Sequence, residues 1–268
     1  MLGSIIGGIV GSIYEFNNIK TKDFPLFRDD CFFTDDTVMT IAVAEAIMNG
    51  GERGDFIDSM KKFGRLYPHE SYGISFRMWL RSDTREPYGS FGNGSAMRVA
   101  PCGWMLELED CRRLARISAE VTHNHPEGVK GALAVADAIY ICRQNIANGG
   151  SPAECRVLVK EHIEKEYGYD LHRTCDKIRP TYEFNETCQE TVPQAIVAFL
   201  DSDGFEDAIR NAISLGGDSD TLAAITGGIA EAAYGVPNWI REKALTYLDE
   251  TLLGVIKRWE RFLLVKNG

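Results

Sequence analysis

The run Thr37–Met48, TVMTIAVAEAIM, is apolar nearly all the way round at helical spacing, with Glu45 as its one charge. A helix of that kind must be enclosed by other elements rather than laid on a surface. The elements available to enclose it also read as helices. Leu114, Ile117 and Val121 form one apolar stripe, and Ala132, Val135, Ala136, Ile139 and Ile146 form another. Ser151-Pro152-Ala153-Glu154 reads as a capping box with proline at the first helical position, opening a helix that carries Leu158, His162 and Ile163. Pro193 is placed to open a helix over 193–200, and Asp203 with Glu206 one over 205–214 that Gly216 and Gly217 stop. Helices over 222–234 and 239–264 complete the series, the last with Leu248, Leu252, Ile256, Trp259 and Leu263 on one face. Strand-like alternation is scarce, and 176–191 reads as a long loop. A chain of 268 residues buries on the order of 75% of its unfolded surface. With no linker, repeat or low-complexity tract, the expectation is one all-α domain over 1–268, a compact orthogonal multi-helix bundle.

Composition excludes several classes of function. The net charge of -10, from 39 acidic and 29 basic residues, opposes a nucleic-acid binder that works by neutralising phosphates. No membrane span is expected, because charges such as Glu45 and Asp137 interrupt the longest apolar stretches. The apolar N-terminal segment has no basic residue before it and no clear cleavage site after it, so it reads as core rather than as a leader. Seven cysteines without a paired CxxC spacing fit reduced thiols and a cytoplasmic location.

Two helix starts carry the chemistry: Phe33-Thr34-Asp35-Asp36-Thr37 and Gly216-Gly217-Asp218-Ser219-Asp220-Thr221. Capping explains one acidic residue at each, at about 0.3–1 kcal/mol. It does not explain two carboxylates and a hydroxyl at each start, both leading into buried helices. If the starts converge, pairs of charges about 4 Å apart repel by roughly 4 kcal/mol at an effective dielectric of 20. A divalent cation offsets such repulsion, and an all-oxygen donor set selects a hard ion such as Mg²⁺, Mn²⁺ or Ca²⁺ over zinc.

Other motifs are weaker taken singly. Gly89, Gly92 and Gly94 surround Ser90, Phe91 and Asn93 in a turn that can present amides to an anion, although no Walker lysine follows. His123 and His125 precede Pro126, but no third soft ligand stands near, and Pro126 suits a helix start. His69, His162 and His172 carry no pattern. There is no G-x-S-x-G elbow. Cys31 beside Phe32 is expected to be buried and unactivated, and Trp79, Trp104, Trp239 and Trp259 to be core.

Taken in order, GxxxGxxYE (Gly7 to Glu15), FTDDT (33–37), YGSFGNGSAMRVAP (88–101), THNHPEG (122–128) and LGGDSDTLAAITGG (215–228) make the chain resemble the ADP-ribosylglycohydrolases, the dinitrogenase-reductase-activating and ADP-ribosyl-acceptor hydrolase group. Residues 166–191 lie outside these motifs and leave room for a substrate-selective insertion. The resemblance implies an all-α bundle with two Mg²⁺ ions (Mn²⁺ as a substitute) held by Thr34, Asp35, Asp36, Asp218, Asp220 and Thr221. Glu15 matches an acidic residue that reaches the metals or gates the cleft. Gly89 and Ser90 match diphosphate contacts and Phe91 an adenine-stacking ring, with Gly92, Asn93 and Gly94 in the same substrate-binding turn. His123 is expected to touch substrate.

The implied reaction is hydrolysis of the ribosyl C1–N or C1–O bond of an ADP-ribosylated protein or a small ADP-riboside, with free ADP-ribose as product. The general base is one of Asp35, Asp36, Asp218 and Glu15. Arginine is the favoured acceptor; serine, O-acetyl-ADP-ribose and other ribosides stay open. A two-metal phosphoesterase, a non-catalytic ADP-ribose binder and a structural protein on the same fold are the competing classes. Residues 69–82 are expected to flank the opening.

Overall fold

The computed structural model describes residues 1–267. They form α1 (Leu2–Gly11), α2 (Asp35–Met48), α3 (Arg53–Leu66), α4 (Ile74–Arg81), the short α5 (Gly94–Met97), a 3₁₀ turn (Ala100–Trp104), α6 (Leu108–Glu120), α7 (Pro126–Ala147) and α8 (Pro152–Tyr167). There follow α9 (Cys175–Ile178), α10 (Cys188–Leu200), α11 (Phe205–Ser214), α12 (Ser219–Tyr234), α13 (Asn238–Leu245) and α14 (Glu250–Asn267). Among the described residues no strand forms, and the one extended pairing is an isolated antiparallel bridge between Gly92 and Thr187. No helix among them is long and apolar enough to cross a membrane.

The fully enclosed helices are α1, α2 and α12. Every residue of α1 is buried, and α2 is buried from Asp36 to Ile47, as its all-round apolar pattern requires. The contact between α1 and α12 is made backbone to backbone. A Cβ on Gly3 would lie 2.1 Å from the Gly227 carbonyl oxygen, one on Gly7 1.9 Å from that of Ala223, and one on Gly11 2.5 Å from Asp220 Cα. These partners descend along α12 as α1 ascends, so the two helices run antiparallel. The spacing of four residues lines Gly3, Gly7 and Gly11 along one ridge of α1. Gly8, on a different face, would bring a Cβ within 3.3 Å of Asp36 Cβ. Thus α1 lies between the starts of α2 and α12, and its missing side chains let both approach.

Several expectations need correction. The helix expected at 193–200 starts at Cys188, and Pro193 lies inside it. An earlier start prevails: Asn185 Oδ1 accepts from Thr187 N at 2.9 Å, and Thr191 N already bonds back to the Thr187 carbonyl at 2.9 Å. Pro193 has no N–H to give, so only the i−4 bond to Gln189 is lost. The loop read at 176–191 accordingly includes most of α9 and the first residues of α10. The long helix over 239–264 is two, because Asp249 Oδ1 accepts from Leu252 N at 3.0 Å and starts α14 afresh. In α8 the buried face is Cys155, Val159 and Ile163, while Leu158 is exposed. Trp79 and Trp259 are core, but Trp239 is 53% exposed, edge-on to Phe27. His162 has a structural part: its Nε2 lies 2.8 Å from Asp137 Oδ2, which Arg112 and Tyr167 also hold. The capping box at Ser151–Glu154 forms as read.

Gly7→Ala sets a methyl against backbone, which cannot rotate away. Overpacking of this kind costs about 1–3 kcal/mol, and about 2–4 °C of Tm is lost per kcal/mol in a chain of this size. Thermal melts of Gly7→Ala are expected to fall by about 2–12 °C. Gly54→Ala, whose Cβ would meet only Arg85 Nη2 at 3.6 Å, is expected to melt like the wild type. Equal melting of the two variants would remove the ridge from its role.

Candidate functional site

The start of α2 and the start of α12 converge on one cleft beside α1. Thr34 is the N-cap residue of α2, yet its hydroxyl makes no capping bond; it donates instead to Asp36 Oδ2 at 3.2 Å. Thr221 Oγ1 approaches the same oxygen at 3.5 Å. Asp218 likewise occupies the N-cap position of α12 without capping it. Of the two side chains that a capping account would turn onto backbone amides, Asp218 lines the cleft, while Thr34 is fully buried behind Asp36 and does not line it. The Gly216–Gly217 turn before α12 has both residues at positive φ, 72° and 74°, a conformation that glycine adopts without penalty. Asn18 clamps it on both sides, donating from Nδ2 to the Gly217 carbonyl at 2.8 Å and accepting from Gly217 N at 2.7 Å.

Five carboxylates meet in two groups, in each of which one oxygen per residue lies within 4.8 Å of the others: Glu15, Asp218 and Asp220, and Asp35, Asp36 and Asp220. Asp220 belongs to both. Burial is the largest cause of the raised carboxyl pKa values. It pushes Glu15 up to about 8, with Asp218 and Asp35 adding repulsion. Asp35 and Asp220 rise to about 7, with Asp218 and Glu15 respectively as the next causes. Asp36 and Asp218 are raised well above the ordinary carboxylate range by burial and then by Asp220. Against this, Asn93 Nδ2 donates to Asp218 Oδ2 at 2.7 Å. Asp36 Oδ1 and Asp220 Oδ1 are buried with no hydrogen-bond partner, as is Thr37 Oγ1. Orphaned carboxylate oxygens inside a cluster of like charge fit a cation, and the all-oxygen donor set fits a hard one.

The rest of the cleft is lined by Tyr88, Ser90, Gly92, Asn93, Gly94, Met97, Arg98, His123 and Glu186, and on its far side by Ser71 and Gly73–Phe76 from the segment expected to flank the opening. Of the substrate residues read from the sequence, Ser90, Gly92, Asn93, Gly94 and His123 face this cleft. Gly89 and Phe91 do not line it; the Phe91 ring is 44% exposed and sits 5.3 Å from His125. Several loop amides are already used: Gly89 N donates to Asn124 Oδ1 at 2.9 Å, Gly92 N to Ser90 Oγ at 3.1 Å and Asn93 N to the Glu186 carbonyl at 2.7 Å. Asn93 therefore orients Asp218 through its side chain and anchors the loop through its amide.

His123 is 4% exposed and held neutral, its pKa lowered far below the ordinary value by burial and then by Arg98. Arg98 Nη2 donates to Thr122 Oγ1 at 2.8 Å, which leaves the Thr122 hydroxyl hydrogen for His123 Nδ1 at 2.7 Å. The ring proton then sits on Nε2, which faces Gly92 and Gly94. His125 Nδ1 accepts from Glu127 N at the start of α7. Sequence reasoning missed Asn18, Arg98 and Glu186. Arg98 stands inside the YGSFGNGSAMRVAP segment, but nothing in the spacing marks a buried guanidinium.

Comparison with known proteins follows the same geometry. The chain matches the ADP-ribosylglycohydrolase family over residues 1–265. It is 25% identical to ADP-ribosylhydrolase ARH3 of Mus musculus, covering 88% of this chain and 83% of that one. It is 28% identical to ADP-ribosylhydrolase ARH3 of Gallus gallus, covering 94% and 89%. ADP-ribosylarginine hydrolase Tri1 of Pseudomonas putida (strain GB-1) is 26% identical, covering 91% and 73%. A solved ADP-ribosylglycohydrolase-related protein complex superposes with a TM-score of 0.64 at 22% identity, covering 96% of each chain, which shows the shared all-helical fold.

The raised carboxyls set a pH dependence. In the metal-free folded protein Glu15, Asp35 and Asp220 keep their protons up to about pH 7–8, whereas ordinary carboxyls lose them near pH 4. Between those limits the folded state binds more protons than the unfolded one, so stability falls as pH rises. Thermal melts in EDTA are expected to decline from pH 4.5 to pH 8. Magnesium at about a hundred times its Kd adds about 2.7 kcal/mol, or about 5–10 °C, and more at pH 8 than at pH 6. Asp36→Asn is expected to raise the metal-free Tm and to abolish most of the magnesium response. A flat EDTA profile contradicts the buried-carboxylate account.

Proposed function

Because the chain belongs to the ADP-ribosylglycohydrolase family, we propose that it hydrolyses the bond between C1 of an ADP-ribosyl group and an acceptor side chain, arginine favoured, and releases free ADP-ribose. The observation that carries this reading is the pair of carboxylate groups sharing Asp220 at the floor of the cleft. Thr34, Asp35, Asp36, Asp218, Asp220 and Thr221 would hold two Mg²⁺ ions, or Mn²⁺, with Glu15 beside them as a further carboxylate. When bound, the ions supply electrostatic stabilisation and fix the ribose hydroxyls.

The chain's own residues account for the remainder. Cleavage passes through an oxocarbenium-like sugar. Water oxygen bonds to C1, the C1–N bond breaks with its electron pair going to the departing nitrogen, and that nitrogen takes up a proton. One of Glu15, Asp35, Asp36 and Asp218 accepts the proton of the attacking water. Carboxylates clustered under the sugar also favour the positive charge that develops on it. Asn93 holds Asp218 in register. His123 Nε2–H and the Ser90 region face the anionic half of the substrate, and Phe91 is the candidate surface for adenine at the rim. A protein of net charge -10 can hold a diphosphate this way because local donors, not net charge, set the potential there. Arginine is favoured as acceptor by the likeness to a relative named as an ADP-ribosylarginine hydrolase and by the acidic character of the cleft. The seven free cysteines support the cytoplasmic location inferred from the sequence.

Defined ADP-ribosyl-arginine, ADP-ribosyl-serine and O-acetyl-ADP-ribose substrates, each with magnesium, manganese or EDTA, test the proposal. Free ADP-ribose is expected with either metal and none in EDTA; AMP as product would identify a phosphoesterase instead. Asp35→Ala and Asp218→Ala are each expected to lower kcat/KM by more than about a hundredfold, the upper range for even an outer-shell partner of a metal site. Their far-UV circular dichroism is expected to stay helical. Full activity in both variants would refute the site.

A further inference from the structure

Six carboxylates line the cleft, and five of them belong to the two groups at its floor. The sixth is Glu186, which is exposed at the mouth. It shares the lining of the cleft with Glu15, and Phe184, two residues before it, stacks on Phe16 beside Glu15. The one guanidinium lining the cleft, Arg98, is spent elsewhere: it is 1% exposed and donates to the Ser118 carbonyl at 2.6 Å and to Thr122 Oγ1 at 2.8 Å. Glu186 is therefore an uncompensated carboxylate over the floor group.

Its backbone is not free to drift. The Glu186 carbonyl accepts from Asn93 N at 2.7 Å, Cys188 N donates to the Phe91 carbonyl at 3.0 Å, and Gly92 pairs with Thr187. On either side of that anchor, Tyr182 packs where Gly217 has no Cβ, and the Phe184 ring stacks on Phe16 at 6.3 Å, next to Glu15. The segment 182–187 thus touches the glycine-rich turn, the first loop and the start of α12, and it sets one exposed carboxylate in the lining of the cleft.

Building on the hydrolase reading above, we propose that Glu186 is the acceptor-selecting residue, accepting hydrogen bonds from a guanidinium leaving group and discriminating against hydroxyl or carboxylate acceptors. A planar guanidinium offers paired N–H donors to a carboxylate, which a serine oxygen cannot match, and an acetate would meet a like charge.

Glu186→Gln keeps the shape and the backbone anchor while removing the charge. The ratio of kcat/KM for ADP-ribosyl-arginine over ADP-ribosyl-serine is expected to fall about tenfold, the loss of one charge-assisted hydrogen bond. Glu186→Asp is expected to restore part of the preference. In parallel, methylguanidine is titrated into the full-length protein loaded with magnesium and ADP-ribose and followed by saturation-transfer NMR. Binding by wild type and loss of it in Glu186→Gln support the assignment. An unchanged ratio, an equal loss on both substrates, or methylguanidine binding that ignores the substitution overturns it. If the wild type cleaves no ADP-ribosyl substrate, the hydrolase reading fails, and the methylguanidine titration still decides whether Glu186 holds a guanidinium.

Discussion

The site exists because two helix backbones touch. Gly3, Gly7 and Gly11 let α1 lie directly on α12, and Gly8 lets Asp36 close in from another face. Ordinary helix pairs keep their axes 8–10 Å apart, the distance set by the side chains between them. Removing those side chains draws in both acidic helix starts. The result is five carboxylates in two groups with Asp220 common to both. Burial then raises every one of them, so the assembled protein stores an electrostatic demand that α1 created and that the proposed divalent ions would meet. Fold and chemistry are coupled at the level of missing methyl groups.

That coupling explains which features could be read in advance. The all-round apolar pattern of Thr37–Met48 forces enclosure, and enclosure is what α2 shows. The acidic starts were legible because two carboxylates and a hydroxyl exceed what a cap requires. In the structure neither Thr34 nor Asp218 makes a capping bond. The spacing of Gly7 and Gly11 entered only as part of a motif, since a glycine does not announce which backbone it will meet. Helix boundaries failed where local hydrogen bonds decide them. Asn185 and Thr187 start α10 ahead of Pro193, and Asp249 splits the final helical stretch, and both depend on a side chain turning back onto its own backbone.

Residues that hold the site rather than form it were the least visible. Asn18 clamps Gly217 across most of the chain, and Arg98 sets the His123 ring through Thr122. Neither has a spacing or composition signature, because an Asn or an Arg at such a position is defined only by its partner. His162 is the converse. It carries no motif, and its bond to the buried Asp137 places it in a packing network between α7 and α8 rather than in chemistry.

The cleft divides by the kind of element that builds it. Its floor comes from the starts of buried helices, where packing leaves the carboxylates little freedom. Its mouth comes from 182–187, which joins α9 to α10 and is held through its backbone by Lys20, Asn93 and the Gly92–Thr187 bridge, with one ring on Phe16 and one ring edge on Gly217. Substitution there costs the fold little, because the side chains of Phe184 and Glu186 are exposed. On the proposed hydrolase reading, C1–acceptor cleavage would need a fixed floor, whereas the acceptor would be met at the mouth. An arrangement with the proposed chemistry on helix starts and the proposed acceptor contact on a loop would let one reaction be redirected among acceptors without disturbing the carboxylates assigned to it.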